Sequence, residues 1–516
     1  MMAGNDIIPD VRVLKYAHTV AALGLEVIAI GPGGPRLTGE RTIGDVRIIC
    51  PAVPERAAVS GWRHRLSAIR PWFSQAEEYR RSLARWEYST REWAAYPGRE
   101  ARDTRRPGVT GQRHLHVPKP RRIWRRITAE LLKQRRRALT GRALPIWWAR
   151  HGGGTGTGPG RAWRIRLYRA LKLARWRAVM PEIMDAELVL GPLLDELAPD
   201  VIHVHDMYML GVGARAAQRA ALAGRDVKLI YDAHEYVPGT PAVAARRIAA
   251  YADLEAEFIG DADRVITVSE PLAGWLQRDH RLVQRPDVVL NAPVDPPAGV
   301  QVTGVRELVG VDEDVPLLVY GGGVNKARGI DTIVDALQYL PGVHLVIVAR
   351  GNFVLTALQK RAVHLGVGDR VHIAPYVDPD LVPLYFASAT AGVSSLLRAP
   401  NHDIALTNKF CEYIMAGLPI ITSDTPEQAR LVRDLDLGAV YVAGDAHDLA
   451  MATRDVLDRV EELTKRITTD TALRDRFSWR AQARTVREVY AQLLGHLPDR
   501  AWKEEVLHVN SLLGQR

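Results

Sequence analysis

Apolar positions along the chain switch between two periods. In residues 11–24, Val13, Ala17, Val20 and Leu23 recur at helical spacing and Gly24 closes the run. LEVIAIG then reads as a short buried strand, and DVRIICPAV as another. An α/β unit normally opens with a strand, and only MMAGNDIIP precedes this helix; the first strand is either very short or begins before the recorded start. From Asp200 the alternation resumes with strand DVIHVHD, helix LGVGARAAQRAALAG, strand VKLIYDAHE, a helix around 241–260, strand RVITVS, a further helix and strand DVVLNAPVD. It restarts at VPLLVYGGG and runs through VHLVIVARG, RVHIAPYV, AGVSSLL, LPIITSD and AVYVA, with helices between. The last long helix, WRAQARTVREVYAQLL, puts Ala483, Val486, Val489, Tyr490 and Leu493 on one face.

Strands alternating with helices imply a parallel, doubly wound α/β sheet. Two such units meet near residues 295–314, a linker containing VDPPAGVQVTG. Ligands of these sheets bind beyond the carboxyl ends of the strands, so two facing units predict a cleft between them.

Residues 61–190 break the pattern. They hold 30 Lys and Arg against 10 Asp and Glu, in a chain whose net charge is +10, and nine of its 12 tryptophans. PRRIWRRITAELLKQRRRAL and RAWRIRLYRALKLARWRAV read as basic amphipathic helices, which suit an anionic membrane surface. A solvated helical insertion is the alternative, and nucleic-acid binding is not expected, because no recognition motif accompanies the charge. The run GGGTGTGPG at 152–160 follows Trp147, Trp148, Ala149 and Arg150 rather than a strand; it reads as a linker, not a nucleotide loop. The two cysteines, Cys50 and Cys411, have no metal spacing and suggest a reducing compartment. No signal-peptide pattern and no apolar run of about 18 residues is present.

Four short stretches carry candidate chemistry. YGGGVNKARGIDT (320–332) follows a strand and precedes a helix; Gly322 and Gly323 allow close backbone approach, and Lys326 and Arg328 supply positive charge for a phosphate. HVHD (203–206) and DAHE (232–235) end adjacent strands. His203 and His205 are expected on opposite faces, one in the sheet and one free for the cleft, with Asp206, His234 and Glu235 beside them. Zinc is not expected there. In HDIALTNKFCEYIMAGLPIITSD (402–424), Asn408 is the predicted N-cap, Gly417 the stop, and Glu412 lies among apolar neighbours on a two-turn helix.

Taken in order, DVIHVHD, IYDAHE, ITVSEPLA, VVLNAPVD, YGGGVNKARGID and NKFCEYIMAGLPIITSD resemble the retaining, sugar-nucleotide-dependent glycosyltransferases of family 4 (group 1 type). The resemblance covers about residues 8–60 and 198–495 and implies the GT-B fold: two Rossmann-like domains facing across a cleft. It implies an acceptor domain over 1–297, with 61–190 as a basic helical insertion. A nucleotide-sugar domain would span 298–478, and a C-terminal helix within 479–516 would cross back to the first domain.

The resemblance further implies that Glu412 binds the ribose hydroxyls of a UDP-, GDP- or dTDP-sugar, and that Gly322, Gly323, Lys326, Arg328 and Lys409 lie at its diphosphate. His205 and Asp206 would act near the transferred sugar, and His234 and Glu235 on the acceptor side. The family's usual second acid falls at Ile404, with Asp403 beside it, and its usual loop Arg falls at Gly323. The NKFCEY form resembles a subgroup in which backbone amides around Ile404, Ala405 and Leu406 replace that acid. The expectation is a cytoplasmic enzyme, peripheral at the inner membrane face. It would move a hexosyl group with retention to a glycan or lipid-linked acceptor, without a required cofactor or metal. The rival reading is a non-catalytic membrane scaffold with a degenerate fold.

Overall fold

The computed structural model describes residues 1–55, 71–105 and 175–498, apart from Asp6, Pro9, Pro35, Asn352 and residues 240–243 and 297–298; side chains of 71–83, 86, 104 and 105 are likewise outside the description. The first half is built on strands β1 (Met2–Ala3), β2 (Val27–Ile30), β3 (Gly39–Ile43), β4 (Val46–Cys50), β5 (Val201–His205), β6 (Lys228–Ala233), β7 (Arg264–Thr267) and β8 (Asp287–Val288). They form one sheet in the order β3-β4-β2-β1-β5-β6-β7-β8, parallel except for β3, which pairs antiparallel with β4 at the edge. The two-residue β1 sits mid-sheet, Met2 opposite Ile30 on one side and Val204 on the other. The antiparallel β3 is absent from the sequence reading; its GERTI is polar and its burial is confined to Ile43.

Helices α1 (Val11–Ala22), α2 (Pro71–Arg105), α3 (Glu182–Leu197), α4 (Leu210–Leu222), α5 (Ala245–Phe258) and α6 (Glu270–His280) flank this sheet. Asp10 caps α1 by accepting from the Val13 amide, and Ser269 caps α6 by accepting from the Leu272 amide. Helix α1 is buried on nearly all sides, including Arg12, Lys15, His18 and Thr19, because the sheet lies under one face and other elements cover the rest.

Of residues 61–190, the described ends are parts of the first half's own packing. Helix α2 lies against α4 so closely that a Cβ at Gly98 would stand 1.7 Å from the Gln218 carbonyl oxygen. Trp176 is fully buried between Tyr88 and Phe258, its Nε1 donating to Glu257 at 2.8 Å. The arginines here pair internally: Arg91 with Asp195, Arg99 with Asp261, Arg102 with Asp263, and Arg177 with Glu92 and Glu257. Their charge is therefore used to close the fold, which a count of basic residues does not show. Most of the two Arg-rich amphipathic stretches and the glycine run lie outside the described residues. Among the described residues, no helix is long and apolar enough to cross a membrane.

The second half is a six-stranded parallel sheet. Its strands are β9 (Leu317–Gly321), β10 (His344–Val348), β11 (Val371–Ala374), β12 (Ala391–Ser394), β13 (Ile420–Ser423) and β14 (Gly438–Tyr441), in the order β11-β10-β9-β12-β13-β14. Around it lie α7 (Ile330–Ala336), α8 (Phe353–His364), α9 (Pro400–Ile404), α10 (Asn408–Ala416), α11 (Pro426–Leu435) and α12 (Ala446–Asp458). Strand order reverses between β9 and β12, and the segments 322–329 and 395–408 leave the sheet at that switch point. The last helix, α13 (Trp479–Leu494), packs Trp479, Ala483, Val486 and Tyr490 with Val13, Tyr16, Ala17 and Val20 of α1. Each sheet is thus a separate parallel α/β layer, with its own apolar clusters.

Candidate functional site

At the carboxyl ends of β5 and β6, Asp232 gathers three cationic or imidazole groups. Arg12 donates through Nε to Oδ2 (2.9 Å) and through Nη2 to Oδ1 (2.8 Å). His205 Nδ1 and His234 Nε2 lie 3.1 and 3.2 Å from the same Oδ2. Burial works against an ionised Asp232, but Arg12, His234 and His205 outweigh it and hold the carboxyl well below its usual range. Burial lowers the pKa of His205; for His234 the Asp232 charge prevails over burial and raises it. A neutral His205 whose Nδ1–H donates to Asp232 presents a bare lone pair at Nε2, which has no partner among the described residues.

The expected division of the two HVHD histidines is overturned. Side chains two apart on a strand share a face, so His203 and His205 stack at 4.4 Å with their planes 13° apart, both buried. His203 Nδ1 pairs with the Tyr490 hydroxyl of α13 at 3.0 Å. It is His234, 21% exposed, that opens outward. Asp206 is half-buried, takes φ +63°, and accepts from the Met207 amide at 2.7 Å. Burial raises its pKa. Positive φ at a non-glycine residue stores strain at this strand end. His203, His205 and Asp232 have ligand atoms within 4.8 Å of one another. Arg12 already neutralises that carboxylate, so a cation there would meet a buried guanidinium.

Across the switch point of the second sheet, Glu412 is half-buried on α10, and its carboxylate accepts no hydrogen bond from the described residues. Burial lifts its pKa to about 7 against the opposing pull of Lys409 and Lys15. Lys409, one helical turn earlier, is buried with Nζ 4.5 Å from the Tyr320 ring centroid. Burial, and then Arg328, lower it to about 7. Its ammonium faces the glycine loop: a Cβ on Gly322, which holds φ +118°, would stand 3.6 Å from Nζ. Arg328 is half-buried and Lys326 and Gly323 are exposed, on a short 3-10 turn capped by Asn325. The loop, Lys409 and Glu412 therefore lie together at one end of the second sheet.

The predicted N-cap shifts by one residue. Thr407 occupies it, φ −79° and ψ 151°, with its hydroxyl 3.2 Å from Gln428 Oε1 and no side-chain cap on the helix. The amide of Leu406 likewise has no partner among the described residues, while that of Ala405 donates to the His402 carbonyl at 3.3 Å. Ile404 is buried and its carbonyl accepts from Ser269 Oγ at 2.7 Å, so this position ties the halves together. Asp403 pairs with Arg398 (2.7 Å) and is not free to stand in for a second acid. Glu235 lies beside α9: Asn401 Nδ2 donates to it at 3.3 Å, and Asn401 Oδ1 accepts from the Tyr236 amide at 3.0 Å. Arg12, Lys15, Asp232 and Asn401 are absent from the sequence-predicted set. Asp232 had a signal, the acid two residues before a strand-end histidine; Arg12 and Lys15 had none, because charge on a helix normally marks a solvated face.

Two parallel α/β layers, with a carboxylate and buried lysine at the switch point of one and a His/Asp cluster at the strand ends of the other, define the GT-B class of glycosyltransferase. Residues 181–296 match the family described as Glycosyltransferase Family 4, and residues 315–459 the one described as Glycosyl transferases group 1. The chain belongs to these family 4, group 1 glycosyltransferases. It is 27% identical to D-inositol 3-phosphate glycosyltransferase of Xylanimonas cellulosilytica, over 58% of this chain and 74% of that protein. It is 26% identical to the lipopolysaccharide core biosynthesis glycosyltransferase LpsE of Rhizobium meliloti, over 38% and 56%. Among solved structures, sucrose-phosphate synthase from Thermosynechococcus elongatus superposes with a TM-score of 0.56 at 14% identity, covering 96% of this chain and 95% of that one. That likeness bears on the fold alone.

Proposed function

We propose that the protein transfers a hexosyl group from a nucleotide-sugar to a glycan or lipid-linked acceptor, with retention at the anomeric carbon. The observation that carries the donor reading is Glu412: a half-buried carboxylate, unpaired among the described residues, one turn from a buried lysine that faces a glycine loop. A carboxylate can accept both hydroxyl protons of a ribose. Lys409, Arg328 and the amides at the start of α10 would take the diphosphate and stabilise the charge that develops as it leaves. Lys326 would extend that positive edge, and the Leu406 amide would serve in place of the acid that is absent at Ile404.

At the strand ends of the first half, Asp232 orients His205 and His234. The Nε2 of His205 is buried with its ring, so His234, which opens outward, would meet the transferred sugar, with Asp206 beside it and Glu235 toward the acceptor. The names of the relatives add a phosphorylated inositol to the acceptors worth testing. The basic charge of 61–190 supports a peripheral place at an anionic membrane face, and flotation with anionic liposomes tests it: full-length protein that stays unbound removes that part of the proposal.

A thermal-shift screen against UDP-, GDP- and dTDP-sugars tests the donor reading. Stabilisation by one nucleotide class is expected; none from any of them would favour the second reading, a non-catalytic scaffold. One observation speaks for that reading: Ile404 is buried and bonded to Ser269, so the sugar-contacting acid is absent rather than displaced.

A further inference from the structure

We propose that Asn401 is a positioning residue of the transfer site: from the second half it holds Glu235 of the first, and with it the segment that presents the Leu406 amide to the donor. The inference rests on the donor and acceptor reading above and adds the residue through which the two sides constrain each other.

Asn401 lies on α9, within the segment 395–408 that leaves the second sheet at its switch point. The polar groups of this segment divide between two duties. His402 Nδ1 lies 2.7 Å from the Leu397 carbonyl oxygen, and Asp403 accepts from Arg398 at 2.7 Å; these contacts fold the segment onto itself. Asn401 and Ile404, three residues apart and so on one face of α9, reach the first half instead. Asn401 Oδ1 accepts from the Tyr236 amide at 3.0 Å, and its Nδ2 donates to Glu235 Oε2 at 3.3 Å. The Ile404 carbonyl accepts from Ser269 Oγ at 2.7 Å. The two surfaces meet closely here. A Cβ at Gly239 would stand 2.7 Å from the Asn401 backbone nitrogen and 3.0 Å from Pro400 Cβ.

The side chain at 401 meets two opposite demands. One end must accept from a backbone N–H and the other must donate to a carboxylate, and an amide offers both. On the first half, the pair it holds follows β6 directly after His234, whose ring Asp232 fixes at 3.2 Å. On the second half, Ala405 alone separates the anchored Ile404 from Leu406, and α10 with Lys409 and Glu412 follows at once. The contacts of Asn401 therefore set both the direction of Glu235 and the path of the chain into the donor helix. Ordering of either side favours the other by the same amount.

Isothermal titration of the full chain with UDP and with GDP tests this. Asn401→Asp keeps an acceptor for the Tyr236 amide and sets a second carboxylate against Glu235. It should weaken binding of the nucleotide that wild type takes by about fivefold or more, the low end of ordinary coupling between sites. Adding Glu235→Gln restores an amide–carboxylate pair with the roles exchanged, and should return affinity to within about twofold of Glu235→Gln alone. Asn401→Ala, which lacks both contacts, should also bind more weakly and gain nothing from Glu235→Gln. A residue that merely braced the fold would lower the thermal midpoint without this rescue of affinity. Wild-type affinity in Asn401→Asp, or a loss that Glu235→Gln does not reverse, overturns the inference and leaves the donor reading intact. Wild type that binds neither nucleotide overturns both. If Asn401→Asp alone does not fold, the doubly changed protein should bind more tightly than Asn401→Ala, and equal affinity overturns the inference. Failure of Asn401→Asp and Asn401→Ala both to fold overturns it as well, because Asn401 is then a structural brace.

Discussion

Arg12 and Asp232, 220 residues apart, meet through two hydrogen bonds of 2.9 and 2.8 Å at side-chain exposures of 4% and 0%. A bidentate pair fully removed from water is costly to form and more costly to break on one side. It fixes α1 against the strand ends of β5 and β6, and through Asp232 it fixes both His205 and His234.

Asp232→Asn should cost about 3–5 kcal/mol, because Arg12 is left buried without a counter-charge. Urea denaturation of the first half measures it. Asp232 has a depressed pKa in the folded state, so its contribution is complete above the ordinary carboxylate range and is lost as pH falls through the folded value. The difference between wild type and variant should be flat near neutrality and shrink in acid. A variant as stable as wild type at pH 7 contradicts the assignment.

If Glu412 holds the ribose as proposed, Glu412→Ala removes two hydrogen bonds accepted by a charged group, each worth about 1.5–3 kcal/mol. Nucleotide affinity measured calorimetrically should fall by at least about tenfold while the thermal midpoint of the free protein holds or rises, since an unpaired, half-buried carboxylate is removed. Unchanged affinity takes Glu412 out of the site.

Donor binding should peak near neutral pH. Glu412, raised to about 7, must lose its proton to accept both hydroxyls, so affinity falls on the acid side. Lys409, lowered to about 7, must keep its proton to meet a phosphate, so affinity falls on the alkaline side. The two limbs belong to the coupled cluster rather than to single residues. A flat profile from pH 5.5 to 9 would exclude this arrangement.

Gly322→Ala places a Cβ at φ +118° and 3.6 Å from the Lys409 ammonium. Backbone strain of about 1–3 kcal/mol and an obstructed loop should weaken nucleotide binding about tenfold or more. Wild-type affinity in Gly322→Ala would show that the loop does not approach the ligand.

Trp176→Ala should destabilise the protein by about 3–5 kcal/mol through the cavity it leaves beside Tyr88, Phe258 and Arg215. Nucleotide affinity should remain that of wild type, measured below the unfolding range. A neutral Trp176→Ala would show that this residue belongs to a separable insertion rather than to the first half's core.

Local periodicity made most of the fold legible. Helix and strand alternation from 200 to 294 and from 315 to 441 reads directly, because each element must bury one face and the spacing of apolar residues reports which one. Glu412, Lys409 and the glycine loop were marked instead by the resemblance of the ordered motifs to a family, and the local capping signal at Asn408 was off by one residue. The antiparallel β3 was not legible, since an exposed edge strand carries no apolar alternation. Nor was the use of the basic charge in α2, where pairing partners such as Asp261 lie more than 150 residues away.

The sequence by itself determined the element types, the two parallel sheets and the donor-side helix, since periodicity, turn residues and caps act within a few residues. Only the tertiary structure decided that His203 and His205 share one buried face, that Asp403 is taken by Arg398, and that α1 carries Arg12 and Lys15 inward. Those outcomes depend on which distant surfaces cover a residue and which charges meet it there. Burial and electrostatic pairing are properties of the assembled fold, not of the chain order.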